Sequence, residues 1–460
     1  MKKISIQLEK ETVEINLSDN TEILSTELAK PLSDPAFFIQ KALADSIDSP
    51  SLDKVIEQKL KKNPEAKAVV VISDNTRPVP YKGEAGILWP IIERLLAKNI
   101  SNDRILILVA AGTHRPLIAK ELREILDPRV FDYEIPIKNH NCRDKNNLTY
   151  LSKTNRGSSV YINRDYMKAD IKILTGLVET HFMAGASGGR KSICPGLIGE
   201  ESIYIFHGAP MLASPKSSDL IIDGNPCHQE ALEIAKKAGA DYILNVTLNQ
   251  DFKITGVFAG DLEKAHEQAV KQIKKYVTIP LDKEYDIVVT HAGFVGINHY
   301  QAAKAAVVAI PALKPNGKLI MIANNNDKDL IGSEKYKTVL HLLKIIGVKQ
   351  FNHLILSPDW TFIPDQWQVQ MWTRLFFKIP PENFIYYSPR LSFNNYKIIP
   401  GLDGNMFLPA NKRYKGTLKD ISQIIKSAID KIDEEFKVKG KKGFNVAFLS
   451  DGPYGVPIKI

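Results

Sequence analysis

Short apolar runs rich in β-branched residues recur along the chain and constrain its fold more than any other feature. They span residues 68–72, 105–110, 171–175, 285–290, 318–323, 353–356 and 446–449. Each has the length of a buried strand, and stretches of helical period separate them. In 84–98, Ile87, Ile91, Leu95 and Leu96 fall roughly on one face, with Pro90 placed to start or kink the regular helix. Residues 228–237 carry Ala231, Leu232, Ile234 and Ala235, and 420–436 carry Ile421, Ile424, Ile425, Ala428 and Ile432. Strands alternating with helices predict an α/β fold of mostly parallel sheets flanked by helices.

At 460 residues the chain exceeds one compact core, so two domains are expected. The break is placed where helical material ends, Ile279-Pro280 interrupts the pattern and a new strand starts at Tyr285. That gives an N-terminal α/β domain over 1–279 and a C-terminal α/β domain over 280–460. The first residues alternate, Ile4, Ile6 and Leu8, then Val13, Ile15 and Leu17, as in a β-hairpin rather than a signal peptide.

Composition removes several classes of function. Hydrophobic residues at 44% and charged residues at 25% are ordinary for a soluble globular protein. No segment approaches the roughly 18 apolar residues of a membrane span. The net charge of +9 is scattered, and the basic run 437–442 reads as a solvated loop, so neither nucleic acid nor membrane is an expected partner. Cys142, Cys194 and Cys227 are far apart and odd in number, which argues against a disulfide framework or a cysteine zinc site and for a reducing cytoplasm.

Polar motifs follow the expected strands. Ser73-Asp-Asn-Thr-Arg-Pro78 follows the first, Ala111-Gly-Thr-His-Arg-Pro116 the second, Thr175-Gly-Leu-Val-Glu-Thr-His181 the third and Thr290-His-Ala-Gly293 the fourth. Carboxyl ends of parallel strands are where open α/β sheets bind ligands. Turn and cap chemistry accounts for Asp74 and Thr113, but not for Arg77, His114 and Arg115 beside them. His114 and His181, each ordinary alone, become at adjacent strand ends a candidate acid/base pair.

The densest cluster is His181-Phe-Met-Ala-Gly-Ala-Ser-Gly-Gly-Arg-Lys-Ser192, followed by His207. Glycines let backbone N–H groups approach a phosphate, and a lysine beside an arginine is an amine for covalent or electrostatic work. A P-loop reading of Lys191 conflicts with Arg190, which stands where that motif has glycine. His207 has no partner at a metal-ligand spacing, so it reads as a core histidine unless a cofactor brings the remaining ligands. Arg77 and Lys304 are cations able to hold a carboxylate, and Tyr300 and Lys304 share a helix face at i, i+4.

Together these motifs resemble the nickel-dependent lactate racemase family. The set is Ser73–Pro78, Gly112–Pro116, His181 through Pro195-Gly196, His207, Asp223-Gly-Asn-Pro226, Tyr300-Gln-Ala-Ala-Lys304 and Asp365-Gln-Trp-Gln368, in the family's order. The resemblance implies a two-domain α/β enzyme with its active site in the interdomain cleft. It implies a nickel-pincer nucleotide, a nicotinic acid mononucleotide derivative tethered covalently to Lys191, with His207 as the protein ligand of nickel. Asp74, Thr76, Gly188, Gly189 and Trp367 would contact that cofactor, and Arg77, Tyr300, Gln301 and Lys304 the substrate. His114 and His181 would be the acid/base pair of a racemase or epimerase of a 2-hydroxy acid. Cofactor-biosynthesis proteins would be its partners.

Some positions depart from the lactate-specific pattern. Met183 stands where a bulkier aromatic is expected, and Ala305 replaces a glycine. A larger 2-hydroxy acid is therefore as compatible as lactate, and Asn298 and His299 are candidate donors to a polar one. The competing reading is a non-enzymatic binder of a nucleotide or phosphorylated metabolite that uses the glycine-rich loop.

Overall fold

The computed structural model describes residues 1–440 and 443–460, arranged as two compact units. One comprises Leu28–Tyr276; the other joins Met1–Glu27 to Val277–Ile460.

In the Leu28–Tyr276 unit, six strands order as Ile254–Gly260, Tyr242–Leu248, Ile171–Leu177, Ala68–Ser73, Ile105–Ala110 and Ile137–Asn139. All neighbours are parallel except the antiparallel edge pair Tyr242–Leu248 with Ile254–Gly260. The chain starts at Ala68–Ser73, builds outward on one side, then returns to build from Ile171–Leu177 on the other. The order of construction thus reverses between Ala68–Ser73 and Ile171–Leu177, which makes their carboxyl ends the switch point where such sheets hold ligands. Val70, Ile72, Ile107, Val109 and Ile173 are buried with Ile91, Ile92 and Leu95 of the helix Trp89–Ala97, whose first turn contains Pro90 as expected.

The second unit holds an all-parallel sheet ordered Leu402–Asp403, Phe384–Tyr387, Leu313–Ile322, Tyr285–His291, Val446–Leu449 and Thr21–Leu24. This corrects the expected boundary, because residues 1–27 belong with the C-terminal unit rather than with residues 28–276. Thr21–Leu24 pairs in parallel with Val446–Leu449 and closes one sheet edge. The hairpin of Lys2–Leu8 and Glu11–Leu17 forms as expected. It buries Ile6, Leu8, Val13, Ile15 and Leu17 in one core with Ile421, Ile424 and Ile425 of the helix Ile421–Val438.

The run at 353–356 is not a strand. It ends the helix Val348–Ile355, which buries Phe351 and Ile355 at i, i+4. In the basic run, Lys437 lies in the last turn of Ile421–Val438 and pairs with Asp433 at 2.7 Å, while Lys441 and Lys442 fall outside the described residues. Among the described residues no helix is long and apolar enough to cross a membrane, and the three cysteines are buried and form no disulfide.

Ile15 is fully buried in the hairpin core. Ile15→Ala is expected to destabilise the C-terminal unit by about 2–5 kcal/mol, read from urea denaturation. A change below about 0.5 kcal/mol, the size of a surface effect, would show the hairpin to be an appendage.

Candidate active site

Asp74 follows the strand Ala68–Ser73 and is 5% exposed. Its Oδ1 accepts from the Thr76 backbone N–H at 3.1 Å and the Thr76 hydroxyl at 2.5 Å, closing a turn over the strand end. Its Oδ2 lies 2.6 Å from His114 Nδ1. Burial by itself raises the Asp74 carboxyl, but bonds from His114 and Thr76 and the His114 charge outweigh it, leaving the group below its ordinary value. His114 stands beyond Ile105–Ala110 on a turn that needs Gly112 at φ +55°, and its side chain is 55% exposed. Asp74 thus fixes one edge of the ring while the rest remains open. Arg77 pairs through Nη1 with Glu179 Oε1 at 2.8 Å, joining the two strand ends that flank the switch point.

His181 lies on a short antiparallel pair, opposite Gly185. Its Nδ1 accepts from the backbone N–H of Met183 at 3.3 Å and of Ala184 at 3.2 Å. The loop is held from beneath by Arg190, which is 1% exposed. The guanidinium donates to the carbonyls of Ala184 at 2.8 Å, Ala186 at 2.9 Å and Gly188 at 3.4 Å, and its Nη1 lies 2.7 Å from His266 Nε2. Desolvation pulls this arginine down to about 9. Arg190 is therefore a structural clamp, which accounts for the departure from the P-loop pattern.

The glycines serve close packing. A Cβ on Gly185 would sit 2.3 Å from the Ile221 carbonyl, and one on Gly188 2.6 Å from Val178 Cγ2. Gly188 and Gly189, expected to hold a cofactor phosphate, are buried, and the Gly189 N–H is taken by Asn245 Oδ1 at 2.8 Å. A loop packed in this way gives little support to a reversible phosphate cradle.

Lys191 sits in the 3-10 turn Gly189–Ser192 with its ammonium over the Phe206 ring, 5.2 Å from the centroid. Desolvation, then the charges of Arg190 and Arg77, lowers this amine to about 7, so a large share is neutral and nucleophilic near neutral pH. His207 caps the helix Glu200–Phe206. Desolvation first, then Lys191 and His114, pushes it down to about 3, which keeps it in the neutral form that binds metals. Among the described residues no group of three or more His, Cys, Asp or Glu stands together to hold a metal ion. The lowered amine of Lys191 and the neutral imidazole of His207 fit a tethered, metal-bearing cofactor.

The remaining expected residues lie in the other unit. The helix His299–Ala309 starts at Asn298, whose Oδ1 accepts from Gln301 N–H at 2.9 Å. Tyr300 accepts from Trp367 Nε1 at 2.7 Å, and Gln368 donates to the Tyr300 carbonyl at 2.6 Å. Tyr300 and Trp367 are thereby brought together, and Gln301 and Lys304 follow Tyr300 on the same helix.

Asn298 and His299 are corrected as substrate donors. The Asn298 amide caps the helix and donates to Asp327 at 2.8 Å. His299 is fully buried, stacked on Trp372 at 4.5 Å with its Nδ1 2.9 Å from the Tyr336 hydroxyl. Other contributors were not singled out from the sequence. Glu179 engages Arg77, and Asn225 donates to the Met183 carbonyl at 2.9 Å and the Ile221 carbonyl at 3.0 Å. An Asn before a Pro signals the cap of the helix Pro226–Ala238, but not what else the amide holds.

A doubly wound sheet with titratable side chains gathered at its switch point is the arrangement of an α/β enzyme. Residues 8–219 match the lactate racemase N-terminal domain and residues 281–386 the lactate racemase C-terminal domain. The chain is 33% identical over 340 residues to lactate racemase from Lactiplantibacillus plantarum, covering 73% of this chain and 76% of that one. It is 28% identical over 402 residues to lactate racemase from Thermoanaerobacterium thermosaccharolyticum, covering 87% of each. The solved lactate racemase apoprotein from T. thermosaccharolyticum shares the fold with a TM-score of 0.82 at 24% identity, over 99% of this chain and 100% of that one. The chain belongs to the lactate racemase family, and as a member it is an isomerase rather than a binding protein.

Buried imidazoles predict acid lability. Desolvation lowers His140 to about 4 despite a bond to the Ile198 carbonyl, and lowers His228 and His299 to about 3. Unfolded, these groups bind protons near 6.5, so the unfolded chain gains protons first as pH falls. Their contribution is complete above about pH 6.5 and is lost progressively between there and about pH 3–4. The urea midpoint is expected to fall steadily from pH 7 to pH 5; an unchanged midpoint would contradict this assignment.

Proposed function

We propose that this chain racemises or epimerises a 2-hydroxy acid, lactate or a larger one, with His114 and His181 as the acid/base pair. The observation that carries the reading is the placement of the two imidazoles. Each follows a strand next to the switch point, each is bonded through Nδ1, and each has Nε2 as its other ring nitrogen. Family membership supplies the reaction class.

Lys191 and His207 would hold the nickel-pincer nucleotide, Lys191 through a covalent bond from its amine and His207 through its neutral imidazole to nickel. When bound, that group supplies the acceptor and donor of the C2 hydrogen as hydride, so that no very weakly acidic C–H need be ionised. His114 receives the hydroxyl proton at Nε2, and the imidazolium that forms is stabilised by the Asp74 carboxylate at Nδ1. His181 serves the oxygen from the opposite face. Arg77 would hold the substrate carboxylate, exchanging Glu179 for it; a guanidinium fork suits either partner. Thr76, Gly188, Gly189 and Trp367 on the cofactor side, and Tyr300, Gln301 and Lys304 on the substrate side, are carried by the resemblance. Asp74 works through His114 in this reading.

Separate losses test the roles. In protein loaded with cofactor, His114→Ala and His181→Ala should each lower turnover by roughly 100-fold or more, with the adduct on Lys191 retained. Full activity in both would sink the two-base mechanism. Lys191→Ala should lose the mass adduct, and His207→Ala should keep it while losing nickel. Adduct and nickel that persist unchanged in both variants would contradict the assignment.

A further inference from the structure

We infer that the two histidines are held in opposite tautomers, with Asp74 as the positioning residue of His114 and Asn225 as that of His181. The inference rests on the two-histidine reading proposed above and deepens it.

A carboxylate can only accept, so the 2.6 Å contact between Asp74 Oδ2 and His114 Nδ1 places a proton on that nitrogen. Neutral His114 therefore presents the lone pair of Nε2 and is ready to take a proton. At His181 the logic reverses. The N–H groups of Met183 and Ala184 can only donate, so Nδ1 must carry the lone pair. Neutral His181 then carries its proton on Nε2 and is ready to donate a hydrogen bond.

The direction of those backbone donors is fixed from behind. A trans peptide points its carbonyl and its N–H in opposite directions. The carbonyl of the Met183–Ala184 peptide is bound by Asn225 Nδ2 at 2.9 Å, and its N–H faces His181 at 3.2 Å. Asn225 cannot be turned end for end, because its Oδ1 accepts from the His228 N–H at 3.1 Å in capping the helix Pro226–Ala238. The next carbonyl, of Ala184, is bound by Arg190 at 2.8 Å. A buried amide thus fixes the direction of a backbone donor to His181.

The pair is unequal before substrate arrives. His114 starts as the acceptor of the hydroxyl proton and His181 as a hydrogen-bond donor to substrate oxygen. His181 can take up a proton only at Nδ1, which requires the Met183 and Ala184 N–H groups to turn away. The Phe182–Ala184 turn is thus part of the acid/base equipment.

The test is long-range proton–nitrogen correlation on full-length protein carrying nitrogen-15 histidine, at mildly alkaline pH. Signals are assigned by their loss in His114→Gln and His181→Gln. The expected result is a protonated Nδ1 at His114 and a protonated Nε2 at His181. Asp74→Ala should release His114 toward the Nε2–H form and leave His181 unchanged. Asn225→Asp keeps the helix cap but loses the donor to Met183, and should mix the His181 tautomers while sparing His114. The same tautomer at both rings in the wild-type protein overturns the inference, whether or not either variant folds. So does a folded Asn225→Asp protein with an unaltered His181 signal. Opposite tautomers with full activity in the two alanine variants would remove the proposed function alone. Identical tautomers with activity lost in those variants would remove this inference alone.

Discussion

A buried guanidinium costs several kcal/mol unless its donors are met. Arg190 meets the donors of Nη1 and Nη2 largely with the backbone of the segment that carries the site, while Nε is left without a partner. The loop between His181 and Lys191 packs around that side chain, with Gly185 and Gly188 allowing the backbone to approach its neighbours. Several properties follow from this clamp. It holds the Ala184, Ala186 and Gly188 carbonyls, and its charge helps lower the Lys191 amine. A loop rich in glycine and adjacent to two cations is here a rigid platform rather than a flexible one.

Much of this was legible in the sequence. Apolar runs separated by helical periods specify parallel α/β architecture, and most of the predicted strands and helices form where periodicity put them. The run at 353–356 misled because four apolar-rich residues have no period of their own, and length alone did not separate a strand from a helix end. The domain boundary misled for a topological reason. Nothing local to residues 1–27 says that Thr21–Leu24 completes a sheet begun more than 250 residues later. The reversal of strand order, which makes one crevice of the ends carrying Asp74 and Glu179, is equally invisible without the fold.

The site divides the same way. His114, His181, Lys191 and His207 are chemically conspicuous, and their spacing drew attention. Their supports are not conspicuous. Asn225 contacts a carbonyl 42 residues away, and Glu179 reaches Arg77 from another strand. His299 shows the opposite error. It adjoins Tyr300 in sequence, yet one residue along a helix is a turn of about 100°, enough to direct it into the aromatic core with Trp372. Met183, next but one to His181, is also buried.

In the proposed reaction, histidines handle the oxygen's proton while the C2 hydrogen moves as hydride. The direct measurement is conversion of one enantiomer of a 2-hydroxy acid, lactate first, by cofactor-loaded protein in deuterium oxide, with C2 examined by mass spectrometry and proton NMR. Hydride transfer should give inverted product that keeps its original C2 hydrogen, because a hydride does not exchange with water. Inverted product carrying solvent deuterium at C2 would show direct proton abstraction and contradict it.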